Sequence, residues 1–165
     1  MLNLLYLHGL NGSLSDEKRA VLNNYFNIFA PTIDYVYTDV NQVINLITKN
    51  NRIDLVMGNS MGGYVGYHTS RRLNVPSLLF NPAIFYKSAV INFSPDNDYK
   101  LFKNRMVIVL GKKDNIIDCN HTYQNLVLDD SIARINFSIY ADLEHRIDLK
   151  TFQNEVENFF CLLKS

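Results

Sequence analysis

The sequence predicts an α/β protein of three layers, α/β/α, with a doubly wound and mostly parallel sheet of about six strands. Short apolar runs alternate with segments of helical periodicity along the 165 residues. Most of these runs are continuously apolar, as in strands that a parallel sheet buries on both faces. The length and a hydrophobic content of 47% fit a single domain, 1–165, with one sizeable core. This β–α alternation favours right-handed crossover connections.

The strands are predicted from the apolar runs and from the turn residues that bound them. In a minimal sheet of this kind, the first and third strands are expected to pair, and the second lies outside the first. The loops that follow the first and third strands then flank a switch point, where a ligand crevice is expected. The candidate strands are Asn3–Leu7, Asn27–Ala30, Ile53–Met57, Ser77–Phe80, Met106–Leu110 and Arg134–Ile139.

The helices are predicted from capping residues and apolar stripes. Ser15 can cap a helix that runs to about Phe26, with Asp16 and Glu17 in its first turn. A second helix follows Asp39, where apolar residues recur at helical spacing. The remaining candidate helices are Ser60 to Leu73, Asp118 to Leu128 and Asp148 to Leu163.

The segment from residue 81 to 105 breaks this rhythm, because Pro82 and Pro95 interrupt it and no strong period is present. Its aromatic side chains argue against disorder. One interpretation is a short helix packed on the surface. The other is a small cap-like segment at about 82–105 whose aromatic residues line an acyl pocket. The same residues could form an interface, so both a monomer and a homodimer remain open.

Charge and composition exclude several classes of function. Lys+Arg and Asp+Glu both number 16, which gives no electrostatic case for a nucleic-acid partner. The apolar start, residues 1–9, is too short to span a bilayer and lacks the flanks of a signal peptide, so no membrane insertion is expected. Cys119 and Cys161 form no CxxC pair, which favours a reduced, cytoplasmic setting, with a single disulfide still open.

The most informative motif is Gly58-Asn59-Ser60-Met61-Gly62, which directly follows an apolar strand. Gly-x-Ser-x-Gly is typical of a nucleophile elbow, a sharp turn from strand to helix with the serine at its tip. A Cβ on either glycine would collide with the neighbouring turn. Ser60 would meet the unpaired N–H groups of a helix start, which favour developing negative charge. A phosphate-cradling loop is the weaker interpretation, because the P-loop lysine is missing.

A serine nucleophile needs a base, which in this architecture follows the acid in chain order. His145 comes after the last predicted strand and before the last helix, which is the expected place for the base. His8 and His68 lie in the wrong order, and His121 falls in the middle of a predicted helix. The sequence therefore predicts His145 as the general base.

The acid should follow the strand Met106–Leu110, where Asp114 and Asp118 compete. Asp114 lies in the loop just after the strand and could accept a hydrogen bond from the imidazole of the base. Asp118 is placed to cap the next helix. Asp114 is favoured, while Asp142 and Glu144 are adjacent alternatives that are expected to face solvent.

An oxyanion hole needs two backbone donors. One is expected from Met61, directly after the nucleophile, and the other from Leu10, with Asn11 as the alternative. His8 is expected to lock this loop by hydrogen bonds. The predicted substrate-binding residues are Asn11, Phe85 and Tyr86, and the chemistry requires no metal or organic cofactor.

Together these motifs resemble the α/β-hydrolase superfamily, and more closely the YqiA-like esterases, a family of small bacterial proteins. The resemblance implies an esterase that acts on a small-molecule carboxylic ester or thioester through an acyl-enzyme, with Ser60, Asp114 and His145 as a catalytic triad. The alternative is a non-catalytic ligand-binding or signalling protein on the same scaffold, since a fold does not determine a function. The residues that carry the resemblance are Leu4–Ser13, Gly58–Tyr64, Phe80–Ala83, Asp114–Asp118 and His145.

Overall fold

A computed structural model describes residues 1–86, 91–95 and 101–164 of the chain. Within these ranges the protein forms one six-stranded sheet with five helices. In the same ranges, every helix is too short or too polar to cross a lipid bilayer. The elements are β1 (Leu2–Leu7), α1 (Asp16–Asn23), β2 (Phe26–Phe29), α2 (Val40–Asn50), β3 (Leu55–Asn59), α3 (Met61–Leu73), β4 (Ser77–Phe80), β5 (Phe102–Gly111), α4 (Cys119–Val127), β6 (Ile132–Tyr140) and α5 (Leu149–Lys164).

The strands lie in the order β2-β1-β3-β4-β5-β6, and every neighbouring pair is parallel. β1 pairs with β3, with Leu7 opposite Gly58, and β2 lies outside β1. This confirms the predicted doubly wound arrangement. Because the winding reverses between β1 and β3, the loops that follow these two strands separate and leave a crevice at the carboxyl edge of the sheet.

Side chains of the strands alternate between two helical layers. In β1, Leu4 and Tyr6 share a core with Phe152 of α5. Leu5 and Leu7 point to the opposite face and pack in a core formed with α2 and α3. Both faces of the sheet are therefore covered, and this explains why the strands are continuously apolar in sequence.

The helix starts follow the predicted caps, but one helix end does not. Asp39 accepts a hydrogen bond from the N–H of Gln42 at 3.0 Å and starts α2. The prediction that the first helix reaches Phe26 is wrong, because α1 ends at Asn23. Phe26 instead begins β2, where its buried ring meets Phe160 of α5 edge-on, with 5.7 Å between ring centroids.

The cap-like segment at about 82–105 is shorter than predicted. β5 begins at Phe102, so residues 102–105 belong to the sheet, and Phe102 is buried in the core. Phe93 packs edge-on against Tyr64 of α3, with 5.7 Å between ring centroids. Residues 82–86 and 91–95 contain no helix. The remaining parts, 87–90 and 96–100, which include Tyr99, lie outside the described residues.

Two positions in the turn from β3 into α3 are packed too tightly for any residue but glycine. A Cβ on Gly62 would lie 2.1 Å from the carbonyl oxygen of Leu7 and 2.3 Å from that of His8. A Cβ on Gly58 would lie 2.2 Å from the carbonyl oxygen of Gly62. The glycines thus let the start of α3 rest directly on the carboxyl end of β1.

We expect Gly62→Ala to lower the free energy of unfolding by about 1–3 kcal/mol, because the crowding atoms belong to the backbone and cannot rotate away. Gly66→Ala is the matched control on the same helix. There a Cβ would meet side-chain carbons of Leu79 at 3.1 Å and Val56 at 3.3 Å, which can adjust. Urea unfolding of both variants measures the difference, and equal midpoints would contradict the expectation.

Candidate active site

Three polar side chains meet at the carboxyl edge of the sheet. Nε2 of His145 lies 3.0 Å from Oγ of Ser60, and Nδ1 of His145 lies 2.7 Å from Oδ2 of Asp114. Ser60 follows β3, Asp114 follows β5 and His145 follows β6. An Nδ1–H that donates to Asp114 leaves Nε2 free to accept the hydroxyl proton of Ser60. The structure therefore brings these three residues into one hydrogen-bonded row.

Ser60 has a backbone conformation that residues other than glycine rarely adopt, with φ 55° and ψ −115°. Its neighbours hold it there by hydrogen bonds. The N–H of Ser60 donates to the carbonyl of Phe80 at 2.9 Å, and its carbonyl accepts from the N–H groups of Tyr64 and Ala83, both at 3.0 Å. The side chain makes no capping bond to α3, so Oγ points to His145 from the helix start. This is the geometry of a nucleophile elbow.

Asp114 is a covered carboxylate with three hydrogen-bond donors. Its Oδ1 accepts from the N–H of Ile116 at 2.8 Å and of Ile117 at 2.9 Å, and Oδ2 faces His145. Burial acts to raise the pKa of Asp114, but these hydrogen bonds outweigh burial and hold the pKa below its usual range. A carboxylate held in this way stays ionised at neutral pH and can fix the orientation and tautomer of the imidazole.

The other candidate carboxylates have different partners. Asp118 caps α4, accepting from the N–H of His121 at 2.7 Å. Asp142 forms an exposed ion pair with Lys113 at 2.7 Å. Glu144 is exposed, and its described hydrogen bond is made by its backbone carbonyl. Of the four carboxylates considered, Asp114 is the one in contact with His145.

His8 is a buried structural residue below the site. Its Nε2 accepts from the N–H of Ile33 at 2.8 Å, so Nδ1 carries the proton and donates to the carbonyl of Gly9 at 2.7 Å. The hydroxyl of Tyr35 donates to the carbonyl of His8 at 2.6 Å. These bonds lock the loop after β1, as the sequence analysis expected.

The loop after β1 makes a tight turn against Ser60. The N–H of Gly12 donates to the carbonyl of Gly9 at 3.1 Å, and Asn11 takes φ 54°. A Cβ on Gly9 would lie 3.4 Å from Cβ of Ser60, so the turn starts directly beside the serine. Leu10 and Asn11 occupy the centre of the turn and line one cleft together with Met61.

This cleft has a volume of about 540 Å³ and lies over Ser60 and His145. Tyr86 lines it, and so do apolar residues of the surrounding loops. Phe85 lies beside the cleft, where its ring meets His121 edge-on with 5.5 Å between centroids. Of the two aromatic residues predicted to bind substrate, Tyr86 is therefore placed at the cleft and Phe85 in an adjoining pocket of about 160 Å³.

Asn81 is a positioning residue for which the sequence analysis assigned no role. It follows β4, takes φ 40° and is 1% exposed. Its Oδ1 accepts from the N–H of Gly111 at 2.9 Å, and its Nδ2 donates to the carbonyls of Glu144 at 3.0 Å and His145 at 3.3 Å. One buried amide thus ties the end of β5 to the loop after β6. The signal in the sequence is an asparagine directly after the apolar run Leu78–Phe80, because a buried amide needs hydrogen-bond partners.

Comparison with known proteins gives a family and a fold. The sequence profile of the uncharacterised protein family UPF0227 matches residues 3–100, more than half of the chain. SOBER1 of Arabidopsis thaliana has 13% identity and a TM-score of 0.70 over 99% of each chain. The Bacillus cereus carboxylesterase has 11% identity and a TM-score of 0.66 over 98% of this chain and 88% of its own. The S-formylglutathione hydrolase of Agrobacterium tumefaciens has 13% identity and a TM-score of 0.66 over 98% of this chain and 83% of its own.

At these identities the similarity to solved structures shows the fold alone, and the fold is that of the α/β hydrolases. The family match covers the elbow and the segment that contains Asn81. It ends before Asp114 and His145 in the chain.

We expect Asn81→Gly to destabilise the protein by about 1–3 kcal/mol, because the N–H of Gly111 loses its buried acceptor. We also expect the NMR signal of the Nδ1 proton of His145 to broaden or shift, since the loop loses its tie. Asn74→Gly is the matched control, because Asn74 also has a positive φ, 51°, but lies exposed at the end of α3. A variant Asn81→Gly with unchanged stability and an unchanged His145 signal would contradict the positioning role.

The lowered pKa of Asp114 predicts a pH-dependent gain in stability. Because its folded-state pKa lies below the ordinary value of 3.8, its carboxylate adds stability that is fully present above that value. That stability is lost as the pH falls through the folded-state pKa. The difference in unfolding free energy between wild type and Asp114→Asn should therefore be largest at about pH 6 and shrink as the pH falls below 3.8. A difference that stays constant over this range would refute the assignment.

Proposed function

The chain belongs to the uncharacterised protein family UPF0227, the YqiA-like family that its motifs indicated, and we propose that it is a serine hydrolase. Its substrates are carboxylic esters or thioesters of small molecules, cleaved through an acyl-enzyme on Ser60. The observation that carries the proposal is the hydrogen-bonded row of Ser60, His145 and Asp114, with distances of 3.0 and 2.7 Å. The fold shared with solved hydrolases supports it.

In the proposed reaction, Oγ of Ser60 attacks the carbonyl carbon while Nε2 of His145 takes the hydroxyl proton. Asp114 stabilises the imidazolium through its bond to Nδ1. His145 then gives the proton to the departing alcohol or thiol, which leaves an acyl group on Ser60. A water molecule, deprotonated by His145, hydrolyses this acyl-enzyme and restores the serine. These steps use side chains and water, and they require no metal or organic cofactor.

The negative charge on the tetrahedral oxygen needs donors that are in place before the reaction. We assign one to the N–H of Met61, the first residue of α3, where the helix start adds a partial positive charge. We assign the other to Leu10, with Asn11 as the alternative, in the turn that packs beside Ser60. Tyr86 and Asn11 line the cleft and are proposed to contact substrate, with Phe85 flanking it.

We expect Ser60→Ala to lower kcat/KM for 4-nitrophenyl butanoate by about 10³-fold or more, because the nucleophile is lost while the fold remains. Ser94→Ala, an exposed serine outside the cleft, is the matched control and keeps the wild-type rate. A fluorophosphonate probe should label Ser60 in wild type and should fail to label it in His145→Ala. A kcat/KM of Ser60→Ala equal to that of wild type would contradict the proposal. An unlabelled wild type without turnover would favour the binding or signalling alternative.

A further inference from the structure

The cleft over Ser60 is lined by two cations, Lys18 and Arg146, which the proposed chemistry does not use. Among the described residues, no aspartate or glutamate lines this cleft. Ser13 and Ser15 add hydroxyl groups to the lining. Glu144 lies with Arg146 at an adjoining pocket but does not line this cleft. Cations that line a nucleophile's cleft are suited to bind an anion.

Lys18 lies in the first turn of α1 and is half-buried. Its Nζ stands over the ring of Phe152, 5.1 Å from the centroid, and in the described part of the chain it forms no ion pair within 4.0 Å. Burial lowers the pKa of Lys18, and the charges of Asp148 and Glu17 act against that effect. In the described residues, the Lys18 ammonium thus has no carboxylate within 4.0 Å, and an anion in the cleft can take that place.

Asp148, the carboxylate whose charge acts most strongly on Lys18, is hydrogen-bonded to other groups. Its carboxylate accepts from the N–H of Thr151 at 2.9 Å and from the hydroxyl of Thr151 at 2.7 Å, at the start of α5. Asp148 also does not line the cleft. A ligand therefore does not have to displace an existing ion pair in order to reach Lys18.

Arg146 is the residue after the proposed base and is exposed. It too forms no ion pair within 4.0 Å in residues 1–86, 91–95 and 101–164. A guanidinium presents a planar pair of donors that matches a carboxylate or a phosphate. Lys18 belongs to helix α1 and Arg146 to the loop after β6, far apart in the sequence, and the fold brings both to the same cleft as Ser60.

We infer that the substrate is an anionic ester or thioester, whose carboxylate or phosphate group is bound by Lys18 and Arg146. The apolar lining, which includes Leu10, Tyr86 and Ile116, is left to contact the uncharged part of the molecule. This substrate class rests on the function proposed above and narrows it. The anionic group can belong to the acyl part of the substrate or to its alcohol or thiol part. In either position it would be bound by the same two cations.

Two pairs of esters separate these sources of charge. Mono-4-nitrophenyl glutarate and 4-nitrophenyl pentanoate differ by a carboxylate in place of a methyl group on the acyl chain. The butanoates of 4-hydroxybenzoate and 4-hydroxybenzamide differ by a carboxylate on the leaving group. We expect wild type to favour the anionic member of at least one pair by about tenfold in kcat/KM, and less at high salt.

The selectivity ratio, anionic over neutral, should fall towards one in both Lys18→Met and Arg146→Gln. Lys18→Met keeps the aliphatic stem on Phe152, and Arg146 is exposed, so at least one variant tests the ratio in a folded protein. Lys164→Met is the matched control, because Nζ of Lys164 also stands over a ring, that of Phe160 at 4.0 Å, outside the cleft. It should keep the wild-type ratio.

The results distinguish failure of this inference from failure of the proposed function. If wild type cleaves neutral and anionic members equally, or if the ratio survives both substitutions, the anionic substrate class is wrong and the esterase proposal stands. If wild type cleaves none of the four esters in a manner that depends on Ser60, the proposed function falls, and the substrate class falls with it.

Discussion

The site depends on the hydrogen bonds between the elbow and the short segment after β4. Ser60 keeps its strained backbone because its N–H is bound to Phe80 and its carbonyl to Ala83. In the same segment, the amide of Asn81 binds the N–H of Gly111 and the carbonyl of His145. The loops after β3 and β6 and the end of β5 are therefore all fastened to one place. Strain of this kind persists only where the surroundings over-determine it, and a buried, fully paired amide provides such surroundings.

Much of the fold could be predicted from the sequence, and so could the meeting of Ser60, Asp114 and His145 at one edge of the sheet. Continuous apolar runs marked the strands, and the order of Ser60, Asp114 and His145 along the chain placed each after a strand. The boundaries that failed lie where local pattern and tertiary structure disagree. Residues 103–105 are polar, so the first part of β5 was not recognised, although it pairs with β6 across a register shift. Phe26 fits the pattern of an amphipathic helix equally well, but in the structure it pairs with Leu2 of β1 in the sheet.

The contacts that support these three residues could not be predicted, because they join residues that are far apart in the chain and belong to no common motif. Asn81 meets a partner 30 positions away in Gly111 and another 64 positions away in His145. His8 reaches Ile33 from 25 positions away. No periodicity or motif spacing reports such pairs. The position of Lys18 at the cleft could not be predicted for the same reason, because in the sequence Lys18 is an ordinary charged residue in the first turn of a helix.

Asn81 and Asn11, two of the asparagines around the site, differ in how readily they deamidate. An asparagine loses ammonia when the backbone nitrogen of the next residue attacks its side-chain amide and closes a succinimide ring. Asn81 is followed by Pro82, which has no N–H, so the buried Asn81 cannot deamidate by this route. Asn11 is exposed and followed by Gly12, which has no side chain to shield its backbone nitrogen, although that N–H is hydrogen-bonded to Gly9 within the turn. On prolonged storage, deamidation will therefore add negative charge at the mouth of the cleft and leave the scaffold beneath it intact.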